Sequence, residues 1–247
     1  TGDNPIQVGV SSGTIKTDYV AVLRGKIIDR AGAALPGARV TVLGHPEYGS
    51  TKSRADGMFD MAVNGGGAIT LTYEKDGYLT VQRQVNAPWQ DWAVVDDAVM
   101  IPLDPKVTTV DLTAPVMQVA QGPVVTDESG PRQATLLFPA GTTAEKVNPD
   151  GTTEPLTTMK VRATEYTVGP KGPESMPGAL PPTSGYTYAV ELSADEALDA
   201  KTVKFSKPMS FYVDNFLHFP VGGKVPVGYY DRERGVWVPS PNGKIVK

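Results

Sequence analysis

The chain has 247 residues, a formal net charge of −4 and an isoelectric point near 5.3, so it has room for one large or two ordinary domains, each with its own core. No Lys/Arg run of the kind that tracks phosphates is present, which argues against nucleic acid as a partner, and the absence of cysteine excludes disulfides, thiolate metal sites and thiol catalysis. No apolar stretch approaches the ~20 residues of a membrane helix, and no signal-peptide pattern opens the chain, so membrane insertion is not expected.

The 26 Gly and 22 Pro are scattered between apolar runs, as turn residues of a β-rich protein are. Residues 1–17 are small and polar and read as a loose arm or a first edge strand. From Asp18 to about Val85 short strands follow quickly. Tyr19 to Asp29 alternates, and Ala38, Val40 and Val42 point one way while Arg39 and Thr41 point the other. Pro36-Gly37, Asp56-Gly57 and Asp76-Gly77 supply the reversals. Phe59 and Met61, with Ile69, Leu71 and Tyr73, complete the core of a sandwich of about seven strands. A join interrupted by Pro88, Pro102 and Pro105 follows, in which any strand is short or at an edge; Ala98 to Leu103 is placed to pair back with the first sandwich.

A second β-rich region begins near Lys106. Its clearest early strands are V-T-T-V-D-L and T-L-L-F-P-A-G-T-T-A. Pro170 to Ser184 is a long proline-rich loop, after which G-Y-T-Y-A-V-E-L alternates as a strand. Ser193 to Leu198 is the one persuasive helix start, with Ser193 as N-cap and Glu196 three residues on. The tail is strand and turn again. The start at Thr1 and the end at Ile245-Val246-Lys247, with no polar tail, imply a piece of something larger.

Arg24-Gly25-Lys26-Ile27, Leu35-Pro36-Gly37-Ala38, Ala55-Asp56-Gly57-Met58-Phe59 and Lys75-Asp76-Gly77-Tyr78 resemble the carboxypeptidase regulatory-like domain, a transthyretin-like (prealbumin-like) seven-stranded sandwich. In that family the module is a non-catalytic accessory. Gly122 to Asp127, followed by Ala134 to Thr142, is similar to a ZU-type sandwich of the kind found in netrin receptors and ankyrins. Phe211 to Leu217, Phe219 to Gly222, Val225 to Asp231, Trp237 to Ser240 and Asn242 to Lys244 resemble the region that precedes the repeat shell in bacterial RHS/YD-repeat (teneurin-like) proteins. That resemblance implies a pair of sandwiches that plugs, caps or decorates a hollow β-shell. The shell itself is not here, since the single Tyr230-Asp231 is not a YD array.

The chemical candidates are thin. Gly9-Val10-Ser11-Ser12-Gly13 has the spacing of a nucleophile elbow, but no helical pattern follows it, and a flexible arm is the stronger reading. Two histidines, His45 and His218, cannot form a three-histidine metal site. A sandwich family related to the second half self-cleaves at His-Phe-Ser; here His218-Phe219 is followed by Pro220, which has no hydroxyl to attack. The acids Asp91, Asp96 and Asp97, and Asp195, Glu196 and Asp199, could serve glycoside hydrolysis or calcium, yet read better as solvated surface charge. Trp89 and Trp92, with Asp91 between them, form either a sugar-stacking platform or an interdomain packing contact, and Trp237 is core or contact surface.

The expectation is therefore an all-β chain with minimal helix, comprising an arm (1–17), a transthyretin-like sandwich with its Pro/Trp join (18–105) and a second, ZU-like sandwich (106–247). It is a non-catalytic module of a large bacterial RHS/teneurin-like protein, secreted or at the cell surface, although a cytoplasmic site fits the composition too. No cofactor or metal is expected. The partner is the rest of its own polypeptide or another protein, through Trp89, Trp92 and Trp237. The alternative is a cell-surface adhesin or carbohydrate-binding module in which the two join tryptophans hold a glycan.

Overall fold

The computed structural model describes residues 5–182 and 184–247; the first four residues of the expected arm, and Thr183 of the proline-rich loop, lie outside them. The chain is all-β with minimal helix, the only helical pieces among the described residues being single 3-10 turns. It divides into two compact units that interleave in sequence.

The first unit runs to Pro102 and also takes in Gly169–Thr187 and Lys224–Gly243. Its strands are β1 (Gln7–Val8), β2 (Val20–Ile28), β3 (Arg39–Val42), β4 (Ser50–Lys52), β5 (Met58–Asn64), β6 (Gly67–Glu74), β7 (Val81–Ala87), β8 (Asp91–Val94) and β9 (Ala98–Val99). They form a five-stranded sheet in the order β1-β4-β3-β6-β7 and a smaller one in the order β5-β2-β8, with β9 also on β2. The period-two pattern drives this arrangement. Leu23 and Ile27 from β2, Phe59, Met61 and Val63 from β5, Val40 from β3, and Leu71 and Tyr73 from β6 are fully buried in one shared core. Each such side chain contributes roughly 1.5–3 kcal/mol of transfer free energy. Phe59 meets Tyr73 edge to face at 5.6 Å. Gly25 is required beneath that pair, because a Cβ there would lie 2.7 Å from the Phe59 ring. Most of β2 to β7 follows the expected alternation, and β9 pairs in parallel with Ile27 and Ile28 of β2. The arm does supply a short edge strand, β1, against β4.

The second unit spans Leu103–Val168, Tyr188–Gly223 and Lys244–Lys247. It contains β10 (Thr108–Asp111), β11 (Gln118–Asp127), β12 (Gly130–Phe138), β13 (Ala144–Val147), β14 (Thr153–Leu156), β15 (Thr158–Glu165), β16 (Val190–Ala194), β17 (Thr202–Phe205) and β18 (Ser210–Val213). These form three small sheets, β10-β15-β16, β11-β12-β18 and β14-β13-β17. Val110, Ala120, Leu136, Phe138, Met159 and Val161 make the common core.

The helix expected from Ser193 is absent. Ser193 lies in β16, opposite Arg162 of β15, and only Asp195–Ala197 turns, as a 3-10 segment without a side-chain cap. The reason is electrostatic. Asp195 is held in a forked pair by Arg162 at 2.6 and 2.8 Å, and the Glu196 carboxylate accepts the Lys160 backbone N–H at 2.8 Å. The capping acid is thus committed to the neighbouring strand. The strand read from Gly185 starts only at Val190, because its partner β15 ends at Glu165, opposite Val190.

The last two strands, β19 (Lys224–Asp231) and β20 (Val236–Lys244), form a hairpin. Most of it clusters with the first unit, as does the proline-rich segment Gly169–Thr187. Sequence order alone places both in the second region. They join the first unit through β7, where Gln82 donates its backbone N–H to the Pro177 carbonyl at 2.7 Å and accepts the Tyr230 hydroxyl at 2.9 Å on its side-chain oxygen.

Candidate binding surface

After β7 the chain turns through Pro88, Trp89 and Gln90 into β8, with Gln90 in the left-handed region at φ 51°. The turn sets Trp89 over Gly66, where a Cβ would come within 2.0 Å of the indole nitrogen, so only glycine fits. Tyr19, just before β2, meets Trp89 edge to face at 6.0 Å. β8 then runs parallel to β2 with Trp92 beside Val22 and Val94 beside Arg24. Neighbours in register share a face of a sheet, so Val22, Trp92 and Val94 stand together on the solvent side. Trp89 is 64% exposed, Trp92 60% and Val94 66%, and Tyr19 and Val22 are exposed too. Asp91 lies between the tryptophans and accepts the Trp92 backbone N–H at 2.8 Å.

The two join tryptophans therefore lie on one edge of the first unit with their rings largely in solvent. Trp237 does not join them. It is half-buried, edge to face with Tyr230 at 5.3 Å, and donates its indole N–H to the Gly178 carbonyl at 3.3 Å. Tyr19, Val22 and Val94 escaped the sequence reading. A signal was available in β2, where Val20 and Val22 share the outward parity of Arg24 and Lys26, so two valines lie on a face that alternation reserves for polar residues.

The other candidates are spread out and structurally committed. Ser11 lies in an exposed turn between Gly9 and Gly13, both at positive φ, with no helix after it. His45 pairs with Glu47 at 2.9 Å, and that contact holds the Glu47 carboxyl below its ordinary range. His218 is in a left-handed turn at φ 55°, braced by Asn215, which accepts the Phe219 N–H at 2.9 Å and donates to the Phe219 carbonyl at 2.7 Å. Asp195 is held by Arg162, and Asp199 meets Lys146 at 3.0 Å; these hydrogen bonds depress both carboxyls. Among the described residues no three His, Asp or Glu converge as metal ligands, and no helix is long and apolar enough to cross a membrane.

One buried charge cluster was not legible in the sequence. Arg132 of β12, 2% exposed at its side chain, meets Asp127 and Glu165 at 2.6 Å each, and its guanidinium lies 4.8 Å from the Phe216 ring centre. An open cavity of about 340 Å³ beside it is lined by Arg132, Asp214, Phe216 and His218, among others. All three guanidinium nitrogens of Arg132 are engaged, Nε by Glu165 and Nη1 and Nη2 by Asp127, which leaves the cluster a structural brace.

The profile of the Teneurin TTR-like domain matches residues 15–100. Teneurin-3 of Mus musculus is 31% identical over 150 residues, which cover 59% of this chain and 6% of that protein. Teneurin-m of Drosophila melanogaster is 38% identical over 87 residues, 35% of this chain and 3% of that protein. The chain thus spans a small fraction of these relatives' length. Catechol 1,2-dioxygenase from Acinetobacter sp. ADP1 superposes with a TM-score of 0.29 at 13% identity, over 38% of this chain and 56% of that enzyme, a likeness too weak to bear on fold or chemistry. These two relatives are from a mouse and a fruit fly, and they lend no support to the expected bacterial context. Residues 15–100 thus match a teneurin TTR-like domain, and both relatives named above are teneurins.

Proposed function

We propose that the chain is an adhesion module of a cell-surface or secreted protein, and that Tyr19, Val22, Trp89, Trp92 and Val94 form its contact surface. The observation that carries this reading is the run of exposed aromatic and apolar side chains on one rigid sheet edge within the matched domain. Aromatic side chains supply large contact area at low entropic cost, and contiguous exposed apolar surface marks interaction sites. Chain-coated beads applied to a cell layer test it. Adhesion should fall several-fold with Trp89→Ala and Trp92→Ala together, and unchanged adhesion would refute this surface. Repeating the assay after enzymatic removal of cell-surface glycans separates a carbohydrate partner from a protein one.

A second reading, in which the later region is a ZU-like sandwich that caps or plugs a larger β-shell, is favoured by β18. Phe211 and Tyr212 are 42% and 46% exposed on this edge strand of the β11-β12-β18 sheet. In that reading the modules are the arm (1–17), the first sandwich (18–105) and the second (106–247), with the hairpin and proline-rich segment contributing to the first. Trp237 then serves as an internal contact.

A further inference from the structure

The first unit protects its strand edges unevenly. On β7 the edge is covered by the proline-rich segment, through the Gln82 N–H to the Pro177 carbonyl at 2.7 Å and through Arg83, which donates to the carbonyls of Met176 and Glu174. On β5 side chains do the same task, the Tyr48 hydroxyl accepting the Asn64 N–H at 3.3 Å and Gln7 covering Ala62. The Gln7 amide accepts the Ala62 N–H at 2.7 Å and donates to the Ala62 carbonyl at 3.0 Å, as a neighbouring strand would. β1 is only two residues long. β8 is different: among the described residues it ends its sheet with β2 on one side and no strand on the other. The Val95 N–H faces β2, donating to the Arg24 carbonyl at 2.8 Å, so by the two-residue period the N–H groups of Trp92 and Val94 face outward. The Asp91 carboxylate serves as acceptor for the first of these.

Unprotected edges with apolar side chains are templates for strand addition, and natural proteins cover them unless they are used. The unpaired charge along this edge is acidic, since Arg24, beside Val94, is paired with Asp60 at 2.6 Å. Asp91, Asp96 and Asp97 are exposed, and none forms a salt bridge among the described residues. We propose that β8 is a docking edge for an extended segment of a partner protein that alternates Lys or Arg with apolar residues. Its backbone pairs with the outward groups of Val94 and, in place of the Asp91 carboxylate, of Trp92; its apolar side chains lie on Trp92 and Val94, and its cations meet the released Asp91 and Asp97. This inference rests on the adhesive surface proposed above and specifies its partner.

The test uses the full chain with two eight-residue peptides, one alternating lysine with valine and the other carrying glutamate in place of lysine. Tryptophan fluorescence reads affinity, and amide hydrogen exchange reads the edge. The lysine peptide should bind at least about tenfold more tightly and slow exchange at Trp92 and Val94. Val94→Pro, which removes an outward N–H, should abolish binding. Asp91→Lys with Asp97→Lys, which gives up the side-chain bond to the Trp92 N–H but keeps every backbone N–H of β8, should reverse the peptide preference and so guards against a folding defect in the proline variant. Equal affinity for both peptides, or no slowing at Trp92 and Val94, overturns the proposal. If bead adhesion still depends on Trp92 while neither peptide slows exchange, the strand-docking inference fails and the adhesive surface stands. Glycan-sensitive adhesion in that case marks the tryptophans as a sugar platform. If adhesion ignores Trp92, the surface itself is wrong.

Discussion

Arg83 donates from Nη1 to the carbonyl of Met176 at 3.1 Å, 93 positions later in the chain. The same nitrogen donates to the Gln82 carbonyl at 2.7 Å, and Nη2 to the Glu174 carbonyl. Arg83 is buried, and burial pulls its pKa below the ordinary arginine value. One guanidinium thus fastens the proline-rich segment to the β7 edge of the matched domain.

Arg83→Leu keeps apolar packing but orphans buried carbonyls, each worth about 1–3 kcal/mol. We expect a loss of at least about 2 kcal/mol in urea unfolding, with faster amide exchange at Gln82, whose N–H depends on the seated segment. Residues 1–102 expressed alone should show the same fast exchange. An unchanged unfolding midpoint in the Leu variant would show that the segment is held by other contacts.

Gly178 gives a steric check on the same region. A Cβ there would lie 2.3 Å from the Tyr230 ring, while the Gly178 carbonyl accepts the Trp237 indole N–H. Gly178→Ala should cost about 1–3 kcal/mol by overpacking and alter Trp237 fluorescence. Tyr230→Leu in the same chain should recover part of that cost. Additive losses from the two substitutions would mean that the residues do not meet.

Arg132 sets the acid sensitivity of the second unit. Its hydrogen bonds hold the Asp127 carboxyl below its ordinary range. A depressed native pKa gives stability that is present above the unfolded value, about 3.9, and lost as pH falls through the native one. Asp127→Asn should therefore flatten the decline of stability below about pH 4, while lowering stability at neutral pH. Arg132→Met leaves Glu165, 5% exposed at its side chain, without its cation. The expected cost is about 3–5 kcal/mol at pH 7. Equal pH profiles for the native and Asn chains would remove Asp127 from the account.

Local signals were legible and remote ones were not. The alternation of Val40, Val42, Phe59, Met61, Leu71 and Tyr73, with Gly37, Gly57 and Gly77 all at positive φ, marks out the first core because each strand carries its own period. Trp89 and Trp92 stood out by residue type. Ser193 misled because a capping box is a local preference, and Arg162 and Lys160 from another strand outweighed it. Gln82, Arg83 and Arg132 look like ordinary polar strand residues. Each also depends on a partner far along the chain, up to 150 positions away, and no local pattern encodes such pairings.

Gln7 is the most economical test of edge protection. One part-buried amide serves both the N–H and the carbonyl of Ala62, and its nitrogen also donates to the Tyr48 carbonyl at 2.7 Å. Gln7→Leu keeps volume but strips every one of these bonds, so the cost should be about 1–3 kcal/mol. The larger consequence concerns association. β5 carries Phe59, Met61 and Val63 on its inner face, and an uncovered edge beside them invites strand pairing between molecules. The Leu variant should therefore form dimers or larger species at concentrations where the native chain does not, as read by sedimentation velocity. Gln7→Glu, which keeps an acceptor for the Ala62 N–H but sets a carboxylate against two carbonyls, should lose stability without gaining self-association, because the edge then carries a charge. Self-association in both variants, or in neither, would show that other contacts close β5.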